Sequence, residues 1–356
     1  LPTELAVHVL FCARMRRMQN TLWIRCLTFN QRKSYYSIMF LVMQVFFKEF
    51  LRIFQFFLVF AFGGSRWYII HRFIMIWKNA VLFLIPRLNN RGTDSKGKGA
   101  VNMIFESHAH YDDEDFDTDR EELLSSLAGH GIGTVINIGA NLAGSEASVK
   151  LAEQYPFIYG AVGVHPSEVE ELSEEGMERL RALCGHEKVV AVGETGLDYH
   201  YPEPAAALQK EWFARQLALA REVKLPVVIH SREAAKDTLD IMQAHRAGEI
   251  GGVVHCFSYA KEMAREYLDM DFYFGIGGVI TFKNAKKLKE AVQYIPLDKI
   301  LLETDSPYLS PEPHRGARNS SLNLPYVAEA IAELKGVSCE AVVEATERNA
   351  RRLFGL

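Results

Sequence analysis

Cysteine is scarce and unpatterned in this chain of 356 residues: Cys12, Cys26, Cys184, Cys256 and Cys339 form no CxxC pair and no even-numbered framework. That argues against a disulfide scaffold, and a reducing, cytoplasmic setting is the expectation. An unbroken apolar run of the roughly 20 residues that a membrane span requires is missing as well. The longest stretches, 38–47 and 53–64, are separated by Lys48, Glu49 and Arg52. No secretory leader is read, because the apolar region comes too late after the first residue. Excess positive charge is also lacking: the formal net charge is -4. Coating of nucleic acid through bulk charge is therefore not expected, and any such contact must come from a local basic patch or from bound metals.

The charge that is present is unevenly spread. Leu1–Asn102 holds 15 of the 40 basic residues and 3 of the 44 acidic ones, so the two parts of the chain are chemically different. The first part opens on Leu, and its apolar and aromatic residues follow no clean period. It ends in a polar Gly- and Lys-rich linker, Asn90–Gly99. Met103, where a strand pattern begins, reads as a natural start. The expectation for Leu1–Asn102 is upstream translation or a poorly ordered extension, with a basic membrane anchor as the alternative. Membrane association is expected only if that segment belongs to the native protein.

From Met103 onward, short apolar runs alternate with amphipathic stretches, as βα units around a parallel sheet require. Eight runs are found: 103–106, 134–138, 158–164, 189–192, 227–229, 252–254, 272–276 and 300–302. Most are rich in Val and Ile, as strands covered on both faces should be. Between them, Ala206–Lys224 places Leu208, Trp212, Phe213, Gln216, Leu217 and Ala220 at three-to-four spacing, one buried helical face. Ser338 is positioned to cap a last helix striped by Val342, Thr346, Ala350 and Leu353. Eight alternations in one segment predict an α/β fold, a (β/α)8 TIM barrel. A doubly wound sheet shares the local pattern, but the polar candidates fall just after the apolar runs, where barrel enzymes assemble their sites.

Those candidates are His108 and His110 in Ser-His-Ala-His, Glu194 after 189–192, His230 after 227–229, His255 after 252–254, and Glu303 and Asp305 after 300–302. A lone HxH is weak evidence. Its two imidazoles can reach one ion, since residues two apart on an extended chain share a side. Four histidines and acids on several strand ends make a shared ligand cluster the better reading. Nitrogen and carboxylate donors without thiolate suit Zn, Mn or a similar divalent ion, with Mg possible where carboxylate and phosphate dominate. Cys256 is read as packing. Asp198 is left ambiguous.

The motifs SHAH, GVHP, GETGLDY, HSR, HCFS and LETDSPYL, in this order, resemble the TatD metal-dependent deoxyribonucleases across Met103–Leu356. The resemblance implies a metal-dependent hydrolase barrel with two divalent ions. One would be held by His108, His110 and Asp305 and the other by His230 and His255, with Glu194 shared. It places His165 near substrate or behind the ligands, and Glu303 is expected there too rather than on a metal. Two features depart from the pattern: Glu106, where many relatives carry Asp and whose longer side chain remains able to orient a ligand without a metal role of its own, and the whole of Leu1–Asn102.

Two such ions lower the pKa of a bridging water and stabilise phosphoryl charge. The expected activity is 3'-5' exonucleolytic hydrolysis of DNA by a hydroxide bridging the metals, with Glu194 and Asp305 as the catalytic carboxylates, Asp305 orienting or deprotonating the water. The expected partner is single-stranded DNA or a DNA 3' end, and no stable protein partner is implied. Arg315 and Arg318 in the loop 311–323 are candidates for backbone phosphate, and Tyr199, Tyr201 and Phe257 for base stacking. Alternatives remain open: deacylation of aminoacyl esters such as D-aminoacyl-tRNA, lactonase or phosphotriesterase chemistry, and a membrane-tethered, non-catalytic metal-binding protein.

Overall fold

The computed structural model describes residues Met103–Leu356, and the expectations for Leu1–Asn102 lie outside the described residues. Eight parallel strands are hydrogen-bonded in chain order: β1 (Ile104–Ala109), β2 (Ile132–Ile138), β3 (Ile158–Val162), β4 (Val189–Asp198), β5 (Val227–Arg232), β6 (Gly252–Val254), β7 (Tyr273–Ile276) and β8 (Ile300–Leu302). Helices α1 (Arg120–Leu127), α2 (Leu142–Gln154), α3 (Glu174–Leu183), α4 (Ala206–Val223), α5 (Ala235–Ala244), α6 (Lys261–Asp269) and α7 (Lys286–Tyr294) follow β1 to β7 in turn. After β8 come α8 (Leu324–Lys335) and α9 (Cys339–Phe354). This is the (β/α)8 barrel that the alternation predicts. The seam between β8 and β1 closes through a parallel bridge, Ala109 to Ser306. His110 N donates to Ser306 O at 2.8 Å and Asp305 N to His108 O at 3.0 Å.

Alternation along the strands sends one set of side chains inward and one outward. Phe105, Ile136, Ile138, Val228, Val253 and Leu301 form the inner cluster, which Ala350 and Phe354 of α9 join. The Phe354 ring stacks on Phe105 at 6.1 Å. Helix α9 therefore stoppers the barrel at the end opposite the histidines. Its Ser338 cap forms as expected, the hydroxyl accepting from Ala341 N at 3.2 Å. The outer cluster sets Val135, Val227, Ile229 and Phe274 against the helices. Gln216, on the predicted buried face of α4, clamps the backbone before His165: Val164 N donates to its Oε1 at 2.8 Å, and its Nε2 donates to Val164 O at 3.0 Å.

Three strands run further than their apolar runs. β1, β4 and β5 continue through Ser-His-Ala, Gly-Glu-Thr-Gly-Leu-Asp and His-Ser-Arg. Several candidate ligands thus lie on regular sheet backbone rather than on loops past it. In β1 the register shifts between Glu106 and Ala109, a bulge that re-phases the alternation. Phe105 and His108 both face inward as a result. At Gly196 an added Cβ would run into the carbonyl oxygen of His230, so only glycine lets β4 and β5 approach where both carry site residues. Among the described residues, no helix is long and apolar enough to cross a membrane.

Candidate metal centre

His108 lies within β1 and His110 one residue beyond it, and their Nε2 atoms approach to 3.1 Å. Glu194, in the middle of β4, reaches between two pairs of imidazoles. Its Oε2 lies 3.4 Å from His108 Nε2 and 3.6 Å from His110 Nε2. Its Oε1 lies 2.7 Å from His230 Nδ1 and 2.5 Å from His255 Nε2. Asp305, beyond β8, brings Oδ1 to 3.5 Å from both His108 and His110. All six predicted ligand residues are gathered into one cluster at the C-terminal mouth of the barrel. Sets such as His108, His110, Glu194 and Glu194, His230, His255 bring their donor atoms within 4.8 Å of one another.

The hydrogen-bond network sets which ring nitrogens of His110 and His230 face the cluster. His110 Nδ1 donates to Ile138 O at 2.9 Å, so Nε2 is the nitrogen that faces the cluster. His230 Nε2 donates to Asp198 Oδ2 at 3.0 Å, which leaves Nδ1 as the nitrogen that faces Glu194 Oε1 at 2.7 Å. A carboxylate or carbonyl behind each imidazole is the usual arrangement for metal-ligating histidines. His165 differs. Its Nδ1 accepts from Ser167 N at 3.1 Å as the cap of a short turn, so its proton sits on Nε2. That N–H points toward Glu194 Oε1, 3.8 Å away. His165 is thereby a donor facing the site.

Crowding of these groups moves their protonation equilibria. Burial pulls His110 down, but its bond to Asp305 and the charge on Glu194 outweigh it and raise the group to about 9. His230 is raised to about 9 in the same way, burial being overcome by Asp198 and Glu194. Burial, then the charge of His255, lowers His108 to about 4. Burial, with His230 nearby, lowers His165 to about 3. Burial would lift Glu194, yet His255, His108 and His165 hold it well below the usual carboxylate range. An anionic, two-sided carboxylate among imidazoles whose facing nitrogens become donors once their protons are displaced suits divalent cations with mixed nitrogen and oxygen ligands.

Other candidates are placed differently. Glu303 turns into the barrel wall, where its Oε1 accepts from Cys256 N at 2.5 Å and burial pushes its carboxyl well above the ordinary range. It braces the turn after His255, and a Cβ at Gly275 would occupy its space. Burial also holds the Cys256 thiol well above its usual value, consistent with packing. Arg318 has its guanidinium on Asp119, with Nη1 to Oδ1 at 2.8 Å and Nη2 to Oδ2 at 2.5 Å, and lies 4.7 Å over Phe116. That fork is already committed, which counts against the phosphate reading for Arg318. Arg315 is exposed over Phe282 at 4.3 Å. Phe257 is only 2% exposed and packs on Phe274, and the Tyr199 hydroxyl donates to Asp237. Neither offers a free face, whereas Tyr201 is 61% exposed.

The structure settles two residues that the sequence reading left without a definite role, Asp198 and Glu106, and adds Tyr308, which that reading did not single out. Asp198 orients His230. Glu106 accepts from His108 N at 3.2 Å, Thr304 N at 2.9 Å and Thr304 Oγ1 at 2.8 Å, tying the two ligand-bearing segments of the seam. Tyr308, 52% exposed, stands 6.5 Å from the His110 ring with its hydroxyl on Asp113. The Tyr in LETDSPYL was the available signal for the last.

Comparison with known proteins points the same way. The model of the family "TatD related DNase" matches residues 105–355. A metal-dependent hydrolase of Bacillus subtilis is 44% identical over 252 residues, covering 71% of this chain and 99% of the relative. A protein of Cronobacter sakazakii named 3'-5' ssDNA/RNA exonuclease TatD is 35% identical over 245 residues, 67% of this chain and 93% of the relative. The crystal structure of a TatD homolog from Escherichia coli K12 superposes with a TM-score of 0.69 at 30% identity, covering 72% of this chain and all of that one.

Proposed function

The chain belongs to the TatD-related DNase family of metal-dependent hydrolases, and from that premise we propose that it removes nucleotides hydrolytically from the 3' end of single-stranded DNA. One observation carries the reading: the two oxygens of Glu194 face two separate imidazole pairs, the arrangement expected of a carboxylate shared by two divalent ions. His108, His110 and Asp305 would hold one ion, and His230 and His255 the other. When bound, such ions lower the pKa of water and neutralise charge on a phosphoryl oxygen.

The chain's own residues supply the rest. Asp305, held at the mouth by the bond from its own N to His108 O, orients the attacking water and takes its proton. His165 presents a fixed Nε2–H, suited to a phosphoryl oxygen or the departing sugar oxygen. Tyr308, beside His110 and exposed, offers a face to the terminal base. The name of the Cronobacter sakazakii relative supports a nucleic-acid substrate.

The test compares turnover of 3'-end-labelled single-stranded DNA with that of an aminoacyl ester, using the full chain with manganese or zinc and after chelation. Stepwise release of mononucleotides, abolished in Glu194→Gln and Asp305→Asn, is expected. Hydrolysis of the ester alone would overturn the nuclease reading in favour of a deacylase.

A further inference from the structure

The barrel mouth is electrically lopsided. On one side, the loop from β1 to α1 carries Asp112, Asp113, Glu114, Asp115, Asp117 and Asp119 in eight residues. Beside it, across the β8–β1 seam, the loop after β8 carries Arg315, and the segment after β7 carries Lys283, Lys286 and Lys287, all exposed. These two loops are joined: Glu312 N donates to Thr281 Oγ1 at 2.9 Å, and the Arg315 guanidinium lies over Phe282. Lys286 and Lys287 open α7, whose first turn has no side-chain cap, so its free N–H groups add to the positive field.

The cations of this rim are uncommitted. Elsewhere the fold pairs most of its basic residues, as in Arg179–Glu146, Arg181–Glu222, Lys210–Asp237, Arg215–Glu174 and Lys299–Asp271. Among the described residues, no carboxylate pairs with Lys283, Lys286, Lys287 or Arg315. Tyr308 stands between the two sides, its loop on the basic flank and its hydroxyl on Asp113.

We infer that the β7–β8 rim is the track for the phosphate backbone of a single strand upstream of the cleaved end. The inference rests on the nuclease reading and adds a direction to it. With the terminal nucleotide at Glu194 and Asp305 and its base against Tyr308, the remaining phosphates leave over Phe282 toward Arg315 and the α7 lysines. The acidic β1–α1 loop, next round the mouth across the β8–β1 seam, borders the track and repels the strand from that flank. Specificity for a polyanion then arises locally, despite the chain's net negative charge.

The experiment uses the full chain and the variant Lys283→Gln/Lys286→Gln/Lys287→Gln, with a dinucleotide and a 20-nucleotide single strand as substrates across a salt series. The variant is expected to raise KM for the long strand by about tenfold or more and to flatten the log–log salt dependence of kcat/KM by about 2, the value for three lost contacts on a single strand. Turnover of the dinucleotide and the thermal melt should be unchanged. A variant indistinguishable from the parent on the long strand overturns the track and leaves the nuclease reading standing. Equal losses on both substrates also overturn it, because the lysines would then serve the chemistry or the fold. If the parent chain cleaves neither substrate, the nuclease reading falls and the track with it.

Discussion

Asp198 lies behind His230 rather than in front of the cluster, yet it decides which nitrogen of that ring meets Glu194. Asp198→Ala is expected to weaken metal binding by about 10- to 100-fold, read by zinc titration against a competing chelator. Unchanged affinity would mean that His230 is no ligand through Nδ1. The raised histidines give a second prediction. His110 and His230 titrate near 9 in the metal-free chain, so their charged forms stabilise the fold. Because the folded values exceed the ordinary one, that stabilisation is complete below about pH 6.5 and is lost as pH rises through about 9. The metal-free chain should lose thermal stability across this window. The zinc-loaded chain, whose ligating imidazoles carry no extra proton, should lose less. Parallel melts with and without chelator check it. The ligands themselves were legible because His, Glu and Asp each interrupt an apolar run. Asp198 and Glu106 were less so, since their roles depend on partners 32 and up to 215 residues away, which spacing does not show.

At the scale of the elements, the pairing of β4 with β5 is held by the absence of a side chain at Gly196. Gly196→Ala places a methyl against the His230 carbonyl and must push the strands apart. A loss of stability of about 1–3 kcal/mol is expected for such overpacking, with impaired metal retention because Glu194 and His230 sit on the two strands concerned. Denaturant unfolding and metal analysis of the purified variant test both. All eight strands were readable from their apolar cores, and β2, β6, β7 and β8 end where their runs end, but the C-terminal limits of β1, β4 and β5 were not readable. β4 reaches Asp198, six residues past its apolar run, because barrel neighbours satisfy the backbone of a Gly-Glu-Thr-Gly stretch that reads as a turn. The bulge in β1 was also hidden, since it follows from the register against β2 rather than from composition.

For the molecule as a whole, the family match confined to 105–355 and the nearly complete coverage of the Bacillus subtilis relative lead to one expectation. Residues 103–356 expressed alone should melt cooperatively and retain the metal-dependent activity of the full chain, as calorimetry and the oligonucleotide assay would show. A chain that aggregates or loses activity without its first part would assign that part a role in the fold or the site. The stopper helix α9 also bears on the order of events during synthesis. Every proposed ligand, from His108 to Asp305, leaves the ribosome before Phe354 is made, so a nascent chain holds the complete donor set while its inner apolar cluster still gapes at one end. Acquisition of metal and sealing of the barrel are therefore separable in time.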